Sequence, residues 1–223
     1  MKANINKLPF WDKLTEEERL NAMQSVVIKS YEAGQMLHGS CDGGGSCLGM
    51  VYVLDGELRT FIVSPEGREV TLFKLIDDDY CVFAASCVLS RIHQETQMIA
   101  TKDTELMIIP ATVFAKLIQT NLKVRCWTYE LATEKFSEVM SVLEEIIFTP
   151  LDSRLARYLV QQYMITGSNV IKTTQEQVAQ EINSVREVVA RALNKFAKNG
   201  IVSMHRGTIE IKSINELKYI IGE

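Results

Sequence analysis

No stretch of the 223-residue sequence approaches the roughly 18 uninterrupted apolar residues that span a bilayer. Residues 1–14 have no apolar signal-peptide core and read instead as a short amphipathic helix. The chain is therefore expected in the cytoplasm, without a membrane partner. Cysteine is missing from the first 40 residues, and no C-x2-C pair occurs anywhere. In that compartment the five cysteines are expected as reduced thiols or metal ligands, not as a disulfide framework. No nucleophile stands in a triad or elbow motif, so an enzyme is not expected.

What is present suits a folded chain. Hydrophobic residues make up 47% and charged residues 23%, which excludes wholesale disorder and allows two small domains. The net charge of −4 is unevenly distributed. Residues 1–150 carry 14 Lys and Arg against 21 Asp and Glu, whereas residues 151–223 carry 10 against 7. A mildly basic last third behind an acidic body fits a protein that meets phosphate only through that third.

Between about Ser30 and Ile109 the pattern is that of β-structure. Runs at 51–54, 58–63 and 70–76 are short and rich in β-branched or aromatic residues. Asp55-Gly56, the stretch 64–67 and the acidic run 77–79 separate them as turns. Such spacing suggests a small barrel or sandwich. Pro110 then opens a helical stretch, and a longer helix is predicted from about Leu122 to Phe148, stopped by Pro150. Ala132, Val139 and Ile146 are seven apart, as are Tyr129, Phe136 and Leu143. Together they mark a seam with the spacing of a coiled coil; one reading lays the helix on its own β-domain, and the other, expected here, pairs it with its twin.

The most informative stretch follows a break at 166–169. Thr174 with Gln177 has the pattern of a capping box, and Val178, Ala179 and Ile182 give the helix they open an inward face. Asn183 sits where the chain must turn sharply, and asparagine tolerates the left-handed conformation. Ser184 is the expected cap of a second helix whose apolar side holds Val188, Val189, Ala192, Leu193 and Phe196. Arg186, Glu187 and Arg191 lie on another face, early in that helix, where a recognition helix meets base edges. Residues 201–205 and 208–212 flank Arg206-Gly207 as a hairpin wing, whose His205 and Arg206 are placed to touch phosphate.

This order of parts, and above all residues 184–191 (Ser-Val-Arg-Glu-Val-Val-Ala-Arg), resembles the catabolite-activator/FNR (CRP/FNR) family of regulators. Gly34, Gly56 and Gly67 fit the glycines of its β-roll. The resemblance implies an α+β fold: an N-terminal double-stranded β-helix or cyclic-nucleotide-binding-like β-roll, a long central dimerisation helix and a C-terminal winged helix-turn-helix. The corresponding domains are 1–120, 121–149 and 150–223. By the same analogy Arg186, Glu187 and Arg191 read bases, while Thr174, Gln175 and Ser184 hold the backbone. A homodimer on palindromic double-stranded DNA, in contact with RNA polymerase and under a small-molecule effector, is implied.

Two family features are missing. The phosphate cassette of the cyclic-nucleotide binders has no Arg-[Ser/Thr] pair here, and Asp77, Asp78 and Asp79 would repel a phosphate; Arg91 is a poor substitute. Cyclic AMP is not the expected effector. The N-terminal cysteine cluster of the oxygen sensors is also missing. Cys41 and Cys47 are six apart, as are Cys81 and Cys87, and three readings of this set stand side by side: core filler, a thiol switch, or an iron–sulfur or zinc site. His38 and His93 add haem as a fourth. Cys126 is expected near the helical seam. No cofactor or metal is identified by the sequence.

Overall fold

A computed structural model describes residues 5–37, 48–82 and 96–223 of the chain. It divides into two compact units, one formed by Met1–Ile62 with Leu72–Met140, the other by Val63–Thr71 with Ser141–Glu223. Among the described residues, no helix is long and apolar enough to cross a membrane.

The first unit starts differently from the single amphipathic helix expected. Short 3-10 turns cover Ile5–Lys7 and Trp11–Lys13, separated at Pro9, and the first α-helix is α1, Glu16–Ser25. Pro9 has no N–H to donate, so it cannot sit inside a continuing helix. Thr15 then caps α1 in a complete box, its Oγ1 accepting from the Glu18 N–H at 3.2 Å while Glu18 Oε2 accepts from the Thr15 N–H at 2.9 Å.

Among the described residues seven strands follow: β1 (Val27–Tyr31), β2 (Gly49–Asp55), β3 (Glu57–Val63), β4 (Glu69–Ile76), β5 (Tyr80–Cys81), β6 (Gln97–Ala100) and β7 (Thr104–Pro110). One sheet has the order β1-β7-β2-β5, the other β4-β3-β6. Strands β2 and β7 run antiparallel with Val51 opposite Ile108 and Tyr52 opposite Met107. Period-two alternation sends Met50, Tyr52, Met107 and Ile109 into one core and Val51, Val53, Leu106 and Ile108 into another. The first core is closed by α1, by α2 (Ala111–Thr120) and by the start of α3 (Leu122–Phe148). The second lies between the two sheets, with Leu58, Leu72, Leu75 and Met98 opposite. Burial on both faces explains why β2 reads as a continuous apolar run rather than an alternating one. At its start Gly49 has φ +111°, and any Cβ there would stand 2.0 Å from the Ile109 carbonyl oxygen, so only glycine fits.

The acidic run is structural. Asp77 Oδ1 accepts from the Gly56 N–H at 2.8 Å, and Asp79 Oδ2 from the Ile76 N–H at 2.9 Å. Asp78, at φ +67°, accepts from the Tyr52 hydroxyl and pairs with Lys7. The Tyr52 hydroxyl and then the Lys7 ammonium hold the Asp78 carboxyl below the usual carboxylate range. Burial, reinforced by Asp78, pushes the Tyr52 phenol up. A carboxyl lowered in the folded state stabilises above its unfolded value, ~4, and that contribution disappears as pH falls through the folded value. Tyr52→Phe is expected to flatten the acid limb of thermal stability below about pH 4; an unchanged slope in melts from pH 2.5 to 6 would remove this role from the pair.

The helix α3 spans the predicted residues, and its apolar rows separate. Ala132 and Val139 are half-buried against the first unit's own cores, whereas Tyr129, Phe136, Met140, Leu143 and Ile147 are exposed. The expected single seam is thus two faces, one packed internally and one uncovered. The second unit continues with α4 (Leu151–Thr166), β8 (Val170–Lys172), α5 (Gln175–Glu181), α6 (Arg186–Lys198), β9 (Val202–His205), β10 (Thr208–Ile211) and α7 (Ile214–Ile221). Its core joins Leu155 and Leu159 of α4, Val178 and Ala179 of α5, and Val189, Leu193 and Phe196 of α6 to Ile209, Ile211 and Leu217.

Candidate nucleic-acid interface

The geometry of the interface begins with a capped helix. Thr174 Oγ1 accepts from the Gln177 N–H at 3.2 Å, and Gln177 Oε1 accepts from the Thr174 N–H at 2.9 Å, as the sequence predicted. Losing such a cap costs ~1 kcal/mol. Buried Ala179 lets α6 cross α5 closely, and Asn183 occupies the turn at φ +51°. The cap of α6 is not Ser184. The Ser184 N–H closes the preceding turn on the Ala179 carbonyl at 2.8 Å, one further extended residue follows, and Val185 stands at the cap with no side-chain bond.

Behind this start, α6 buries Val189, Ala192, Leu193 and Phe196, while Val188 is half-buried. Arg186, Glu187 and Arg191 are exposed. The plain alternative for the last two was an ion pair four residues apart, and among the described residues no such pair forms. Three polar side chains at the head of α6 are therefore without an ion-pair partner among the described residues.

The wing completes a groove. Strands β9 and β10 pair with Thr208 opposite His205, and β8, which the sequence reading did not anticipate, adds a third strand beside β10. Gly207 takes φ +75° at the tip, and its carbonyl accepts from the Thr173 N–H at 3.1 Å, tying the wing to the entrance of α5. Thr174, Gln175, Arg186 and His205 line one continuous groove between α5, α6 and the wing. Ser184, Arg186 and Glu187 line a neighbouring cleft; Arg191 lies outside both. Arg206 is exposed at the tip, with no ion-pair partner among the described residues. Its neighbour His205 stands 3.7 Å from Glu210, whose carboxyl Lys212 and then Ser203 hold low.

Two features of this region lay beyond sequence reasoning. Arg154 of α4 donates from Nη1 to the Ile182 carbonyl at 2.7 Å and to the Asn183 carbonyl at 3.4 Å, and its Nε is buried without a hydrogen-bond partner among the described residues. Burial, with Arg68 acting the same way and Glu145 against it, lowers the Arg154 guanidinium. The Asn183 side chain is also engaged, by Thr71. Nothing local in the sequence signals a partner 112 residues away.

The sensor candidates are less complete. Cys81 is buried in the core between the two sheets, and Cys126 is exposed on α3. Cys41, Cys47, Cys87, His38, His93 and Arg91 lie outside the described residues.

Comparison with known proteins follows the same division. Residues 28–121 match the model of the cyclic nucleotide-binding domain, and residues 153–220 that of the Crp-like helix-turn-helix domain. A crystal structure of a Crp/Fnr-family transcriptional regulator from Eubacterium rectale is 34% identical, covering 98% of this chain and 100% of that one, with a TM-score of 0.88. The cyclic AMP receptor protein of Thermus thermophilus is 23% identical over 95% of this chain and 96% of its own. The c-di-GMP-responsive regulator CLP of Xanthomonas campestris shares the fold at 14% identity, with a TM-score of 0.67 over 89% of this chain and 100% of that one.

Proposed function

The chain belongs to the Crp/Fnr family of transcription regulators, with a helix-turn-helix DNA-binding domain and a cyclic-nucleotide-binding-like domain, and we propose that two copies act together on a palindromic DNA site. The functional division follows 1–120 for the sensor, 121–149 for the pairing helix and 150–223 for the DNA reader. The exposed row of α3 around Phe136 pairs with its twin. Each protomer then lays α6 in a major groove, where Arg186 and Arg191 fork onto guanine O6 and N7 and Glu187 accepts from cytosine N4. Thr174, Gln175 and Ser184 hold phosphates, as do His205 and Arg206 of the wing.

The observation that carries this reading is the exposure of Arg186, Glu187 and Arg191, without ion-pair partners among the described residues, at the head of a helix whose other face is a packed core. RNA polymerase is the expected protein partner and the cytoplasm the expected compartment. The effector enters the β-roll. The missing Arg-[Ser/Thr] pair argues against cyclic AMP, and Cys41, Cys47, Cys81 and Cys87 keep a redox or metal signal in play.

Selection from a pool of randomised duplexes tests the core of the proposal. The recovered sites should be two-fold symmetric, with half-sites about one helical turn apart, ~34 Å, and their binding should weaken steeply with salt. Enrichment of asymmetric sites, or of none, would overturn it.

A further inference from the structure

Among the described residues, two clefts flank the head of the recognition helix. One lies between α5, α6 and the wing, beside Thr174, Gln175, His205 and Thr208; the other runs past Gln180, Ser184 and Glu187. Glu176 of α5 and Arg186 of α6 line both clefts. They form the ridge between them, one carboxylate and one guanidinium, each exposed. Among the described residues neither side chain has an ion-pair or hydrogen-bond partner, and no ion pair joins the two.

A carboxylate at this place works against the surface around it. Thr174, Gln175, His205 and Arg206 suit a phosphate. The wing's own carboxylate, Glu210, is already held by Lys212 at 2.7 Å and by the Ser203 hydroxyl at 3.0 Å. Glu176 is the one carboxylate among the described residues lining the first cleft, and no such pair neutralises it. The plain use of an acid in the first turn of a helix is to complement the helix dipole. Thr174 and Gln177 already satisfy the start of the seven-residue α5, which leaves an exposed acid little to add.

Charge decides the consequence. Arg186 has two destinations on a duplex: a fork onto guanine O6 and N7, which only the right base offers, and the phosphates, which every sequence offers. Net charge drives the second. A carboxylate beside the guanidinium cancels much of that pull, and cancels more as the duplex displaces water from the clefts and the local dielectric falls. The fork depends on direction rather than on net charge, and a carboxylate on the neighbouring helix steadies the guanidinium that makes it. Glu176 therefore subtracts from binding to any sequence and subtracts little from binding to the correct one.

We propose that Glu176 is a positioning residue for Arg186, which keeps its guanidinium off the phosphates and so sets the ratio of specific to non-specific DNA binding. The inference rests on the base-reading role of Arg186. It gives α5 a part in specificity, whereas Thr174 and Gln175 of the same segment only hold the backbone.

Glu176→Gln removes the charge and keeps the shape. The probes are two fluorescein-labelled 40-base-pair duplexes, one recovered from a randomised pool by the full-length protein and one of random sequence. The variant should bind the random duplex about tenfold more tightly at 50 mM salt, an advantage that shrinks towards 200 mM, as two unit charges in a dimer predict. Binding to the recovered duplex should change by less than about threefold, so the ratio of the two affinities falls. An acid that only supported α5 would lose affinity alike on both duplexes, and an unchanged or increased ratio overturns the proposal. The same titrations with Arg186→Ala keep the two ideas apart. If that variant retains the wild-type ratio, the base-reading role has failed; if it loses the preference while Glu176→Gln keeps it, only the role of Glu176 has. In the double variant Glu176→Gln should cause no further loss of preference, because the group it positions is missing. A further loss as large as in the wild type would make Glu176 an independent reader and overturn the proposal.

Discussion

Phe136→Glu is expected to convert the protein to a monomer and to lower its affinity for a palindromic duplex by about 10²- to 10⁴-fold, the usual gain from tethering two binding modules. Phe136 is 62% exposed in the middle of α3, and Ile147, on the same row, is 67% exposed. A row of large apolar side chains along a 27-residue helix is more than a soluble monomer ordinarily leaves to water. Glutamate at the centre of the row would face its own copy across the pair, and two unpartnered carboxylates in a desolvated seam oppose association. Sedimentation gives the mass directly, and circular dichroism shows whether the helices persist. A variant that stays dimeric at micromolar concentration would mean that the row serves another partner.

The second large effect concerns reading rather than pairing. Arg186→Ala should cost roughly 1–3 kcal/mol at each half-site, about five- to 150-fold, and twice that free energy on a full palindrome. The loss should be confined to the preferred sequence, and the preference for one base pair should relax with it. Arg206→Ala in the wing is the contrasting case. It should weaken all sequences alike and reduce the slope of affinity against salt by about one unit. Equal losses on specific and random duplexes for Arg186→Ala would reassign that residue to the phosphates.

Local chemistry was legible in the sequence where it is repeated or capped. The strands at 51–54 and 58–63, the limits of α3 and the box at Thr174 all follow from periods and caps confined to a few neighbouring residues. So does the left-handed Asn183. The errors came where one residue of slack or a distant partner decides. Ser184 has the right side chain for a cap, yet its N–H closes the turn before it, which moves the cap to Val185. The two heptad rows of α3 look alike in sequence, and only the roll beneath Val139 distinguishes the packed row from the open one. Asp77, Asp78 and Asp79 read as repulsive charge, whereas the fold uses all three as acceptors that fasten its turns. The exposed polar set Arg186, Glu187 and Arg191 was legible because such residues at the head of an amphipathic helix are themselves a pattern; the partners of Asn183 were not, because they lie far away along the chain.

The compact unit that carries the helix-turn-helix is discontinuous, since Val63–Thr71 clusters with Ser141–Glu223. Recombination between relatives that exchanges everything after the central helix would carry Asn183 across and leave Thr71 and Arg68 behind. Such a hybrid would keep the base preference of its new C-terminal segment while inheriting a foreign turn. Shuffling of C-terminal segments therefore moves the helix-turn-helix without the Thr71 backbone that fastens its turn at Asn183, so a hybrid must rebuild that fastening with whatever residues its new body supplies.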